Sequence, residues 1–434
     1  MTAARLYPRT ALLVLTALNL LNYIDRSVLF AVQPLVQSEF HLTNAQLGFL
    51  TSAFLGFYML AAPFVGPLAD RYSRRLIIVI GAIFWSALTL LTAVTHNYWE
   101  LLVRHTLVGV GEATFVTIAP TFVADLFPEN RRGRIFGIFY LAIPVGTAAG
   151  YLLGGKLGPQ FGWRSPFYVA AVPGFLLALI MLFIPEPERG RFDTVPEHLE
   201  QIPPRKDLAL WRRIVLYVYY YLRRLYFALF RNPAFWTATL GMAAMTFALG
   251  GVQVWMPTFL SRVRGYTLQS ANLMFGGIVV VDGILASLAG GWLGDYLLPR
   301  MKSAYYFVSA ISMAIGVPFM IVGIFLQGPV MVPAIAIAAF FLLINTSPLN
   351  AAIVNSVGAH VRATAIAVNI FIFHLLGDVP SPSAMGVIAD RRSLEAAFVL
   401  PVIAMVISSA ILFYGMRFAP LLEVGRKPVA LGAH

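Results

Sequence analysis

The tract Asn22-Tyr23-Ile24-Asp25-Arg26 sets a carboxylate beside a guanidinium in the middle of the first long apolar run, ALLVLTALNLLNYIDRSVLFAV. At about 1.5 Å per residue, that run is long enough to cross a bilayer. An ionised group at such depth costs at least ~2.5–3.5 kcal/mol on insertion scales, so residues of this kind face a partner or a water-filled cavity. The pair implies that something polar binds or passes here; the plain alternative is a structural ion pair locking two helices. Arg104 and Glu112 stand eight residues apart in a later run, about 80° apart on a helical wheel. Arg26 and Arg104 are suited to phosphate, because a planar guanidinium binds its oxygens in a bidentate way. Glu112 can neutralise Arg104 or accept a substrate amine. Arg104 lies near the start of its run, so snorkelling to the interface is the competing reading for it. His374 and Asp378 fall one turn apart, and an imidazole beside a carboxylate is a proton-relay candidate alongside Asp25 and Glu112. The competing reading is a hydrogen bond made for rigidity. Asp282 is a weaker buried-acid candidate. Tyr23, Asn345 and Asn350 are polar candidates for the lining of a binding cavity, with Asn355 nearby in sequence.

These groups need a membrane to give them their meaning, and the composition supplies one. Apolar residues make up 59% of the 434 and charged residues 12%, against about 25% charged in an average soluble chain; the mean hydropathy is +0.78. The net charge of +12 does not read as a nucleic-acid surface, because most basic residues lie in short loops between apolar runs. The absence of cysteine excludes disulfides, thiolate metal sites and a cysteine nucleophile. The first apolar run is too long for a cleavable leader and contains Asp25 and Arg26.

Twelve runs of spanning length are expected, near 11–32, 46–69, 76–95, 100–126, 132–155 and 165–184, then 233–259, 270–294, 304–326, 329–354, 363–388 and 394–417. With the N-terminus inside, eight Lys/Arg of the first half (Arg5, Arg9, Arg71, Arg74, Arg75, Arg131, Arg132, Arg134) fall in inner segments, against Lys156 and Arg164 outside. The second half gives a thinner margin, six against four. Both termini are therefore expected in the cytoplasm. Residues 185–232 are the one long connection and divide the chain into 1–184, a linker, and 233–434. The start of the linker is polar and proline-rich. Its later part, WRRIVLYVYYYLRRLYFALF, gathers Arg212, Arg213, Arg223 and Arg224 within a sector of about 120°, as expected of a helix lying in the headgroup region.

The halves echo one another. Gly66-Pro67-Leu68-Ala69-Asp70-Arg71-Tyr72-Ser73-Arg74-Arg75 follows the second run, and Gly291-Trp292-Leu293-Gly294-Asp295 follows the eighth, 225 residues on, with Arg300 standing where Arg75 stood. Arg132 corresponds in the same way to Arg362. A duplicated six-span unit is the simplest account. Signals of catalysis fail on inspection. Gly150-Tyr151-Leu152-Leu153-Gly154-Gly155-Lys156 has phosphate-loop spacing, but Leu157 stands where Ser or Thr would hold magnesium. The histidines show no metal-ligand spacing. No enzyme activity, cofactor or metal is expected, which leaves a membrane-embedded enzyme or a receptor remote.

The G-x-L-A-D-R-x-x-R-R loop (Gly66, Asp70, Arg71, Arg74, Arg75) resembles the signature of the major facilitator superfamily, with Ser73 replacing the usual glycine. The Gly/Pro-rich fifth run, Ala142 to Gly146 and on through Gly150, Gly154 and Gly155, is similar to that superfamily's pliable helix. The resemblance implies an all-α membrane protein of two pseudo-symmetric six-helix bundles, with this loop as a gate. A closer resemblance is to the spinster family of lipid transporters. It is carried by Asn22 to Arg26, by Arg104 with Gly109 to Ala113, and by Ala119-Pro120 and Ala124 to Phe127. Phe139 to Gly146, His374 to Asp378 and Ser381-Pro382 complete it. It implies a secondary transporter moving a lysolipid or a phosphorylated sphingoid-type lipid by alternating access, coupled to protons, as a monomer in a bacterial inner membrane. A facilitator-type carrier of a small organic anion remains the alternative.

Overall fold

A computed structural model describes residues 2–189, 229–357 and 362–419. The arginines of the expected interfacial helix, Arg212, Arg213, Arg223 and Arg224, lie outside the described residues. Among the described residues twelve helices are long and apolar enough to cross a membrane. Spans one to six are Tyr7–Phe40, Asn44–Gly66, Arg74–Thr92, Tyr98–Leu126, Arg134–Phe161 and Ser165–Leu182. Spans seven to twelve are Pro233–Arg262, Leu268–Leu297, Ala304–Phe325, Met331–Asn355, Ala365–Arg391 and Leu394–Phe418. They form two six-helix bundles, as the resemblance implies, and the described residues contain no strand.

Local sequence sets where the helices begin. Thr43 opens span two with a capping box shared with Gln46. Ser73, Asn97, Asn232 and Thr267 accept backbone N–H bonds at the starts of spans three, four, seven and eight, relieving donors that have no partner within the helix. Four spans are broken, the twelfth of them at Phe398, between Leu394–Ala397 and Val399–Gly415. Span five changes helix at Leu141, between Glu129–Tyr140 and Ala142–Phe161. Span ten divides around Asn345. Span eleven passes through a π-helical turn, His374–Asp378, before Pro380.

Small residues let the helices approach closely, as membrane packing requires. A Cβ on Gly146, Gly150 or Gly154 of span five would stand 2.6, 2.7 or 2.6 Å from Leu20 O, Ile24 O or the Ala31 Cβ of span one. One apolar core runs through both bundles, joining Val28, Val32 and Leu47 to Trp255, Phe259 and Phe275. A second core, around Leu15, Phe54, Trp85, Phe115 and Phe122, is built from the N-terminal bundle, with Val379 of span eleven packed against it. The two bundles meet within the shared core at the sealed end, which carries the loops after spans one and seven; at the opposite, parted end the described residues show no hydrogen bond from one bundle to the other.

Candidate functional site

The polar groups converge where the seal stops. Arg26 of span one donates from Nη2 to Glu112 Oε2 of span four at 3.1 Å, with the Arg26 side chain 14% exposed and that of Glu112 fully buried. Three rings surround the guanidinium: Tyr23, Phe54 and Tyr58, with centroids 5.1, 5.1 and 5.0 Å from Cζ. Such faces attract a cation while leaving its N–H edge available. Among the described residues, Arg26 Nε and Glu112 Oε1 make no hydrogen bond. Tyr58 also meets the other bundle, its ring standing edge-on to His374 of span eleven at 6.0 Å. His374 Nδ1 lies 2.9 and 3.0 Å from the two carboxylate oxygens of Asp378. The π turn presents this pair at the bundle interface. The site is therefore an arginine–glutamate pair inside an aromatic cage, facing an imidazole–carboxylate pair from the opposite bundle.

Two expected pairings are replaced. Asp25 and Arg26 do not face each other, because consecutive helical residues point about 100° apart. Asp25 is buried with Thr89 of span three beside it, while Arg26 turns to Glu112. Nor does Glu112 neutralise Arg104. Arg104 sits near the sealed end, paired with Glu100 at 3.2 Å and donating to Leu91 O at 2.6 Å, the interfacial placement that snorkelling describes.

Asn345 is fully buried in the C-terminal bundle. It accepts from Ser312 Oγ at 2.9 Å and donates to Phe341 O at 2.8 Å, which ties the break in span ten to span nine. Asn350 is exposed and bonds its own helix at Thr346 O. Neither makes a bond to the cluster. Asp282 is 8% exposed, and its Oδ2 finds no partner among the described residues.

His105 was not among the sequence candidates. It is buried, stacks on Phe54 at 5.0 Å opposite the guanidinium, and leaves Nε2 without a partner among the described residues. One step along the helix from Arg104, it points inward where Arg104 points outward; the helical angle between them is the signal that could have found it.

At the parted end, the loop after span two is organised by burial of a charge. Arg74 is 5% exposed; it holds Asp125 at 2.5 Å and Glu186 at 3.3 Å and donates to Pro187 O at 3.1 Å. Glu186 also accepts from Ser73 Oγ at 2.5 Å and from the amides of Arg74 and Arg75 at 3.1 and 3.4 Å. Burial pushes the Glu186 carboxyl up, but these donors outweigh it and hold it below its ordinary range. Arg75 donates to Ile184 O, Arg71 is exposed, and Gly66 has open space around it. The side chain of Asp70 lies outside the described residues. The corresponding loop of the second half differs: Asp295 accepts from Tyr305, and Arg300 lies over the Tyr296 ring at 4.4 Å.

At the sealed end, Asp390 of span eleven accepts from the amides of Asn44 and Ala45 and from Asn44 Nδ2, each at 2.8 Å. Arg262 donates to Gln37 and to Pro34 O. Asn272 donates to Ala31 O, Tyr151 to Gln253 O and Ser383 to Ser52.

Two half-bundles sealed at one end over a buried charged site define a major facilitator transporter, and residues 15–382 match the Major Facilitator Superfamily. Within it, the chain belongs to the spinster family. It is 32% identical over 420 residues to protein spinster homolog 1 of Xenopus laevis, covering 91% of this chain and 76% of that relative. It is 35% identical over 408 residues to human protein spinster homolog 1, covering 88% and 74%. The fold superposes on a crystal structure of a bacterial homologue of the human lysosomal transporter Spinster, in its inward-facing and unoccupied conformation. That match has a TM-score of 0.81 at 24% identity and covers 95% of this chain and 98% of that one. A D-xylose–proton symporter gives a TM-score of 0.71 at 17% identity, covering 95% and 98%.

Proposed function

We propose that this transporter moves a lysolipid or phosphorylated sphingoid-type lipid, with the anionic head bound at Arg26 and a proton exchanged at the same place. The observation that carries the reading is the shared guanidinium. Arg26 sits in an aromatic cage and uses few of its five donors, while Glu112 is buried against it. A phosphate arriving on the free edge competes with Glu112 for the same cation. A buried carboxylate that loses its counter-charge takes up a proton, so binding and protonation are linked at Glu112. Asp25 and the His374–Asp378 pair are the further stations of that proton. Tyr23 forms one wall of the head site. Arg104, Asn345 and Asn350 support the cavity from a distance rather than touching the head.

On the same reading, the loop of Gly66, Asp70, Arg71, Arg74 and Arg75 gates the parted end. That end and both termini would then face the cytoplasm of a bacterial inner membrane, with the monomer as working unit; the Lys/Arg bias supports the orientation.

The test is a thermal-shift and mass-spectrometric binding screen of purified protein against lysophospholipids, sphingoid phosphates, sugars and short carboxylates. Lysolipids or sphingoid phosphates are expected to bind and Arg26→Ala to abolish that binding. Glu112→Gln is expected to keep binding while ending accumulation driven by a pH gradient in proteoliposomes. Selective binding of short carboxylates would replace the lipid with a small organic anion. Unchanged binding in Arg26→Ala would remove Arg26 from the site.

A further inference from the structure

Among the described residues a slot opens on the N-terminal bundle, between spans one and five. Its cavity is about 470 Å³ and is open along one side. Leu13, Thr16 and Leu20 form one wall, Leu141 and Val145 the other, and Arg9 stands at the mouth. The slot lies where span five changes helix at Leu141, below the tight glycine contacts that begin at Gly146 and beside the bond from Asn19 Nδ2 to Phe139 O that holds the two helices together at 3.0 Å.

Three features specify what fits. The lining is almost wholly apolar apart from Arg9 and Thr16, and none of its residues is a carboxylate. Its cations gather at one end: Arg9 is exposed there, and Arg134, also exposed, lies one turn before Ile138, another lining residue of span five. Its length is that of one leaflet. Arg9 to Leu20 along a helix is about 16 Å at 1.5 Å per residue, against roughly half of a ~30 Å hydrocarbon core. An acyl chain entering from the leaflet at the parted end would run from surface to midplane, with its head between two cations.

We propose that this slot binds one acyl chain of an anionic glycerophospholipid of the surrounding leaflet, its head group held by Arg9 and Arg134. The site is distinct from the Arg26 site and stands whatever that site carries. Its inner end approaches the central cage, since Leu20 is one turn from Tyr23 on the same helix; a lipid held here borders the central site without occupying it.

The full chain would be purified through lipid exchange, offered phosphatidylglycerol or phosphatidylcholine at equal concentration, and examined by native mass spectrometry. One phosphatidylglycerol is expected to stay bound, preferred over phosphatidylcholine by about fivefold per cation. Arg9→Gln should reduce that preference by about fivefold. Val145→Trp should displace the lipid by filling the slot. Leu13→Trp, at a position 68% exposed and so away from the packed core, should do the same if the first variant is unstable. Equal retention of the two lipids, or full retention in the folded tryptophan variant, would overturn the proposal.

Discussion

The two ends of the molecule are held by bonds of opposite kind. At the sealed end, beside ion pairs within a bundle such as Arg164–Glu39 and Arg264–Glu395, hydrogen bonds run between bundles: Asp390 to Asn44 and Ala45, Arg262 to Gln37, Asn272 to Ala31 and Ser383 to Ser52. At the parted end the strong contacts of Arg74 stay within one bundle and the residues just after it, joining Asp125, Glu186 and Pro187. The sealed end is thus made of contacts that a rocking motion must break together. The contacts of Arg74 can travel with their bundle, so rocking of one bundle against the other breaks the first set and leaves the second intact.

The largest expected effect comes from Arg74→Ala. It removes the cation that Asp125 and Glu186 share inside a buried pocket, and breaking a buried pair costs about 3–5 kcal/mol. Thermal unfolding in detergent should show a large loss of stability and low yield. Near-parental stability would mean that the cage does not hold this end together.

Gly48→Leu attacks the other end. Any side chain at Gly48 meets the Pro382 backbone across the seam. Backbone cannot yield as a flexible side chain does, so the overpacking cost of about 1–3 kcal/mol falls on the sealed state alone. Seam opening should rise about tenfold or more. The chain has no cysteine, so Ser52→Cys gives a single labelling position inside the seam. Its labelling rate should rise in the Gly48→Leu background, and an unchanged rate would separate the glycine from the seal. Asp390→Asn should act in the same direction but less, by about 1 kcal/mol. The carboxylate is exposed, and the amide that replaces it keeps one acceptor for the helix start.

Sequence made the architecture legible because a bilayer enforces it: each span must be long and apolar, and ionised residues inside one stand out. It also marked Arg26, Glu112, His374 and Asp378, which meet at the bundle interface. It could not pair them. Asp25 beside Arg26 in the chain suggested a contact that helical geometry forbids. Arg104 and Glu112 share a broad face but stand eight residues, or about 12 Å, apart along it. Polar type alone drew attention to Asn345, whose work is to satisfy carbonyls where span ten breaks. His105 was hidden because a buried ring stacked on phenylalanine has no signature in a single sequence. The break in span five is foreshadowed by Pro144, which has no N–H for the Tyr140 carbonyl, whereas the inter-bundle seam depends on partners hundreds of residues away and no local pattern encodes it.

The smallest effect expected is a pH limb at the parted end. The Glu186 carboxyl is held below its ordinary range by Ser73, two backbone amides and Arg74, against the opposing push of burial. A depressed carboxyl contributes stability that is fully present above the unfolded value of about 4.3. That contribution is lost as pH falls through the lowered folded value. Glu186 is partly exposed, its side chain at 23%, so screening keeps the contribution modest, about 1 kcal/mol or less. Unfolding temperature measured between pH 6 and pH 3 should therefore fall less steeply in Glu186→Gln than in the parent. The variant should start lower at neutral pH and converge with the parent in acid. Parallel curves would show that the loop keeps its grip on Glu186 through hydrogen bonds alone, and the stiffness of this end would then rest on Arg74 and Asp125.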